Sequence, residues 1–254
     1  MGVTQGSLGR VSVFEDFTTM QDDGGLAMTD ALGLAFNDIR IVEISGVVTI
    51  DQDVTRGGGI ATFSGAGGAG DGVVIMAAPF LPADGQMWME CRFKPSVITT
   101  LQMFVGFQET ADRDETVIPF TLNGTTLTDN ATGSTWGLYY DTTATTDDWR
   151  AAAADDGVIK SASGTLGVRA NATIVADRYM VVRVEVDQSG GGRIFYGDDS
   201  IGTGGMKLVD EIPAGTLDTA AVLHPIIHLI DPSTNDPLWS VDYFAAEGGR
   251  SWTN

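Results

Sequence analysis

His224 and His228 stand four residues apart, the spacing at which two imidazoles on one helix face can share a zinc ion. They are the only histidines in the chain. Pro225 and the isoleucines between them favour an extended segment instead. Four extended residues span roughly 13 Å, too far for one metal to take both rings. The paired acids Asp22-Asp23, Asp147-Asp148, Asp155-Asp156 and Asp198-Asp199 offer oxygen atoms for calcium. None sits in an Asp-x-Asp-x-Asp-Gly loop, which presents several oxygens to one ion, so they read as solvated turn acids. Glu90 has Arg92 two residues on, on the same face of a strand, and the two read as a structural ion pair. The rings of Trp136, Tyr139, Tyr140 and Trp149 suit sugar stacking, although packing within a sheet is their expected role. Gly65-Ala-Gly-Gly-Ala-Gly70 matches a dinucleotide-binding fingerprint, but a phosphate site there needs a helix to open after it. The β-branched Val73-Val-Ile75 follows, so a hairpin loop is expected. Neither a nucleophile elbow nor a phosphate-binding loop occurs. Asn123, Asn130 and Asn171 begin glycosylation sequons and read as turns. No catalytic residue, cofactor-binding residue or metal ligand is expected, and no cofactor.

The elements that would position these groups are strands. Gln86 to Pro95 alternates with period two: Met87, Met89, Cys91 and Phe93 point one way, and Trp88, Glu90, Arg92 and Lys94 the other. With Leu101 to Glu109 it reads as a long antiparallel pair. Ile60 to Ser64 and Val73 to Ala77 read as a hairpin around the glycine run. Val11 to Phe17 reads as a strand, Thr18 to Ala35 as loop with a turn at Asp22 to Gly25, and Ile39 to Ile50 as a strand broken at Gly46. Val117 to Leu122 carries Pro119 and reads as an edge strand, closed by the turn Asn123-Gly124. Thr135 to Asp141 is an aromatic strand. Asp147 to Ala154 has alanines that favour a helix, but its neighbours favour a strand. Arg178 to Asp187 turns through Gln188 to Gly192 into Arg193 to Tyr196. Val222 to Ile230 and Leu238 to Phe244 follow. About a dozen strands with frequent turns predict two packed antiparallel sheets, with Met89, Cys91, Phe93, Phe104, Val182, Val184 and Val186 in the core.

Composition fits this. Thirty-three glycines suit a turn-rich β architecture. A chain of 254 residues is within the range of one all-β domain. We read residues 1–10 as an N-terminal arm that needs a neighbour to become ordered, and residues 11–254 as a single domain. The net charge of −20 repels nucleic acid and anionic membranes, and neither is an expected partner. Cys91 is the one cysteine and reads as a buried hydrophobe. No secretory signal, membrane helix or complete myristoylation motif is read, and the single cysteine fits a reducing compartment.

The order of the elements resembles the concanavalin A-like (laminin-G/laminarinase-type) jelly roll. The matching pieces are Met87-Trp-Met-Glu-Cys-Arg-Phe with Met103-Phe-Val-Gly-Phe, then Trp136-Gly-Leu-Tyr-Tyr, then Tyr179 to Asp187 with Arg193-Ile-Phe-Tyr, and the closing Leu238-Trp-Ser-Val-Asp-Tyr-Phe244. The resemblance covers residues 60 to 245 and implies an all-β, two-sheet antiparallel jelly-roll sandwich. Members include β-glucanases, lectins and virion structural proteins of tailed phages. The glucanases place Glu-x-Asp-x-x-Glu on one strand as nucleophile and acid/base. That spacing is absent, so no enzyme is expected. What the resemblance implies is a phage virion protein, a capsid decoration or accessory protein made in the host cytoplasm. It would bind the major capsid protein or other virion proteins, and form a homo-oligomer. The alternative is a carbohydrate-binding module or phage adhesin of lectin-like fold, with a glycan partner. A β-glucanase ranks below both.

Overall fold

A computed structural model describes residues 4–5, 10–17, 26–29, 34–36, 39–45, 47–52, 59–64, 68–109, 117–124, 126–143, 148–160, 168–169, 174–198, 205–234 and 238–249. The strands are β1 (Thr4–Gln5), β2 (Arg10–Glu15), β3 (Leu26–Thr29), β4 (Leu34–Phe36), β5 (Ile39–Ser45), β6 (Val47–Gln52) and β7 (Ala61–Ser64). They continue as β8 (Gly72–Ala77), β9 (Met87–Pro95), β10 (Gln102–Gln108), β11 (Phe120–Asn123), β12 (Thr126–Asp129), β13 (Thr135–Asp141) and β14 (Arg150–Asp155). The remainder are β15 (Val158–Ile159), β16 (Val168–Arg169), β17 (Met180–Val186), β18 (Gly192–Asp198), β19 (Lys207–Ile212), β20 (His224–Ile230) and β21 (Leu238–Gly249). One short 3-10 turn at Pro82–Asp84 is the helical element among the described residues.

Two large antiparallel sheets face one another. Sheet A runs β19-β18-β17-β9-β21-β7-β6-β3, with β2 on the second half of β21 and β1 on β2. Sheet B runs β15-β14-β13-β10-β20-β8-β5-β4, with β16 also on β14. The expected two-sheet antiparallel sandwich is therefore found, but several expected pairings are not. β9 and β10 do not pair. β9 lies between β17 and β21 in sheet A, and β10 between β13 and β20 in sheet B. The six residues between them carry the chain across the gap that separates packed sheets, about 10 Å. The glycine run likewise joins sheets instead of closing a hairpin. β7 pairs with β6 and β21 in sheet A, while β8 pairs with β5 and β20 in sheet B. Between β5 and β6 the chain changes sheets again.

The expected loop over Thr18 to Ala35 contains β3 and the start of β4, whereas the turn at Asp22 to Gly25 lies outside the described residues. Two residues of the expected arm, Thr4 and Gln5, pair with Ser12 and Val11 of the same chain. Arg150–Asp155 is a strand, as the surrounding pattern predicts despite its alanines.

The burial pattern of β9 alternates without exception, so sheet A turns one face to the core and one to solvent. In β10 and β13 every residue is buried. Sheet B is covered on both sides because the ribbon β11–β12 lies on its outer face. This explains a misplaced core residue. Met89, Cys91, Phe93, Val182, Val184 and Val186 do pack between the sheets. Phe104 is buried too, but on the outer side of sheet B, where its ring lies 6.0 Å from that of Phe120, which in turn lies 5.8 Å from Tyr139. The expected edge strand Val117 to Leu122 is found in part: Phe120 to Leu122 belong to β11, which among the described residues pairs on one side only, with β12. Pro119 precedes β11, and its carbonyl accepts the Asn130 N–H at 2.8 Å.

Cys91 is fully buried, and burial pushes its thiol well above the ordinary range, with the Glu90 charge adding to it. The native protein should not react with a thiol reagent at neutral pH, and should react fully once unfolded in guanidinium. Stoichiometric labelling of the native state would contradict the packing of β9 against β17.

Candidate binding face

The aromatic residues whose rings would suit sugar stacking are packed inside the protein, as expected. Trp136, Tyr139, Tyr140 and Trp149 are each at most 1% exposed. His224 and His228 lie on β20 as an extended pair, opposite Gln108 and Phe104 of β10. Burial lowers the pKa of His224, which keeps the ring neutral. Among the described residues no group of three or more His, Cys, Asp or Glu side chains could hold a metal ion. Described members of the acid pairs serve the structure: Asp148 faces Arg150 at 3.7 Å, and Asp155 accepts the Ser134 hydroxyl at 2.6 Å.

Glu90 does make an ion pair, but with a different arginine. Its partner is Arg183 of β17, at 3.4 Å, and Arg92 instead meets Asp242 of β21. Glu90 faces Arg183 directly across the sheet, and Arg92 reaches Asp242 where the register of β21 shifts between Val241 and Tyr243. Tyr243 donates its hydroxyl to Glu90 at 2.7 Å. Burial first, then that bond and the Glu90 charge, raises the phenol pKa, so Tyr243 stays protonated and a donor.

These residues belong to the outer face of sheet A, where aromatic rings and ion pairs are interleaved. The Arg183 guanidinium lies 4.4 Å over the Trp88 ring, and Arg92 lies 4.0 Å over Tyr179. Phe14 of β2 stacks on Tyr243 with centroids 6.1 Å apart and planes 25° from parallel. Glu185 accepts from Arg183 at 2.8 Å and from Arg193 at 2.9 Å, bridging two arginines. Arg10 and Glu247 pair at 2.7 Å near the β2 margin. Guanidiniums held flat by both a ring and a carboxylate have little freedom left, so the face presents fixed groups.

Register lines these side chains into rows. One row crosses six strands: Phe14, Ala245, Glu90, Arg183, Phe195 and Leu208 stand opposite one another in turn. The adjacent row runs Glu247, Trp88, Glu185, Arg193 and Glu211. At the end of that second row a cleft of about 190 Å³ opens, lined by Gln86, Glu185, Asp187, Arg193 and Glu211 among others. Burial pushes the Asp187 carboxyl up, but bonds from the Ser189 hydroxyl and N–H and the Gly191 N–H outweigh it and hold it below its ordinary range. Asp187 thereby fixes the turn at the floor of the cleft. The outward half of this set was readable in β9, as Trp88, Glu90, Arg92 and Lys94. Its partners Arg183, Asp242 and Tyr243 come from strands about ninety or more residues away, and no local pattern announces them.

No protein-family model and no curated protein sequence matches the chain. Solved structures do. A protein of unknown function from Shewanella oneidensis is similar at a TM-score of 0.58 and 12% identity, over 98% of this chain and 90% of that one. Peanut lectin is similar at 0.54 and 9%, over 94% and 97%. The Emp47p carbohydrate recognition domain is similar at 0.51 and 10%, over 94% and 95%. At such identities the likeness is one of fold, and the fold is the concanavalin A-like jelly roll of the lectins.

Proposed function

We propose that this jelly roll is a non-catalytic recognition module that binds carbohydrate on the outer face of sheet A. The observation that carries the reading is the interleaving of rings and ion pairs beside a cleft. Trp88, Tyr243 and Phe195 are partly exposed, and flat rings suit the apolar faces of sugars. Carboxylates and guanidiniums fixed between them can bond sugar hydroxyls without first being ordered, which lowers the cost of binding. The named carbohydrate recognition domain among the similar structures supports the same reading. Glu90 has no second carboxylate on its strand, and its oxygens are engaged by Tyr243 and Arg183, so we assign it no catalytic role.

Retention on immobilised polysaccharides tests the reading. The wild-type protein should be retained by at least one, and Trp88→Ala should weaken that retention about tenfold, equivalent to about 1.4 kcal/mol. Unchanged circular dichroism would locate the loss in the face. A protein retained by no glycan would overturn the proposal.

A second reading, an accessory protein of a virus particle, is favoured by Phe14 and Leu208. They are 45% and 53% exposed on the same face, an apolar presentation that suits a protein partner. Purified particles that contain the chain would support it.

A further inference from the structure

We infer that the ligand of this face is an uncharged polysaccharide bound along its length, and not a sugar terminus or an anionic glycan. The inference rests on the carbohydrate reading above and adds the shape and charge of the ligand. Shape follows from the row that runs from Phe14 to Leu208 across six strands. Five inter-strand steps of about 4.8 Å make it roughly 24 Å long. Its two ends are its most exposed apolar side chains, at 45% and 53%. Tyr243 extends the Phe14 end by stacking, and Arg193 lies 5.8 Å from the Phe195 ring near the other. A platform of that length, with contacts spread to both ends, matches several sugar rings in line. One terminal sugar would reach only a fraction of it.

Charge follows from the pairing. Arg10, Arg92, Arg183 and Arg193 each already meet a carboxylate of the same face. An anionic sugar that reached one of them would meet the negative charge of that carboxylate beside it, so the guanidinium offers it little net attraction. The cleft at the end of the second row adds Asp187 and Glu211. The net charge of −20 works in the same direction at longer range. Sugar hydroxyls, by contrast, donate to carboxylates that keep their arginines.

A panel of immobilised polysaccharides tests this: uncharged glucan, mannan, galactan and xylan beside polygalacturonate and alginate. The full-length protein should be retained by an uncharged polymer and at least tenfold less by either anionic one. Free octasaccharide of the retained polymer should compete at least tenfold better than its monosaccharide. Glu247→Gln, which removes the charge facing Arg10 at the exposed margin, should raise the ratio of polygalacturonate to uncharged-polymer retention severalfold. Equal competition by the monosaccharide would overturn the extended site. Preferential retention by the anionic polymers would overturn the charge rule while the carbohydrate reading stood. Retention by none of the panel would remove both.

Discussion

Trp149→Ala should destabilise the protein by about 3–5 kcal/mol, the largest loss expected from any single truncation in the core. Trp149 is wholly buried between the sheets. Its ring meets Tyr140 of β13 at 5.5 Å, Phe93 of β9 at 6.2 Å and Tyr196 of β18 at 6.4 Å. It therefore joins sheet B to two strands of sheet A. The neighbouring Ala151 and Ala153 on β14 are too small to collapse into the space it would leave. Chemical denaturation should show the loss as a lower midpoint with an unchanged slope. Trp149→Phe should recover most of it, because the aromatic contacts persist. A loss below about 1 kcal/mol would mean that the sheets close over the cavity, contrary to the close packing expected of interiors.

Gly106→Val should cost about 3 kcal/mol or more, for the opposite reason. Gly106 and Gly137 stand directly opposite each other on β10 and β13. The Phe104 ring lies across both. A Cβ at Gly137 would come 2.5 Å from the Val105 carbonyl oxygen and 2.6 Å from the Phe104 ring. One at Gly106 would press on the Trp136 carbonyl and sit 2.9 Å from that ring. Backbone cannot yield as a flexible side chain can. Phe104→Ala in the same chain should therefore fail to rescue Gly106→Val, and thermal unfolding of the single and double variants checks this. Full rescue would place the whole conflict in the ring.

How far the sequence foretells this molecule depends on what period-two alternation encodes. It encodes facing, and β9 and β17 present the faces their spacing predicts. The hairpin from β17 into β18 is legible too, because its turn is short and rich in glycine. Alternation does not encode which sheet a strand joins. β9 with β10, and β7 with β8, have the same local appearance as true hairpins, yet each pair is split between the sheets. Nor does it reveal a second covered face. Phe104 and Tyr139 point away from the main core, and the distant ribbon β11–β12 helps to cover that side. The candidate face was half legible. Trp88, Glu90, Arg92 and Lys94 stand out as its mixed side on β9, but Tyr243, Asp242 and Arg183 are brought to it by pairing across long stretches of chain. The acid pairs, histidines and inner aromatics drew attention by type, and type alone does not separate a buried ring from an exposed one.

The position of β21 sets a timetable for folding. The last described strand is not at the margin of sheet A but inside it, bonded along one side to β9 and along the other to β7 and then β2. Segments made early in synthesis must wait, with their edges open, until this late segment leaves the ribosome. Pairings of such long sequence separation form slowly, and unpaired edges in the interval invite association with other chains. The strand that completes the sheet is thus also the one that ends the nascent chain's period of greatest exposure.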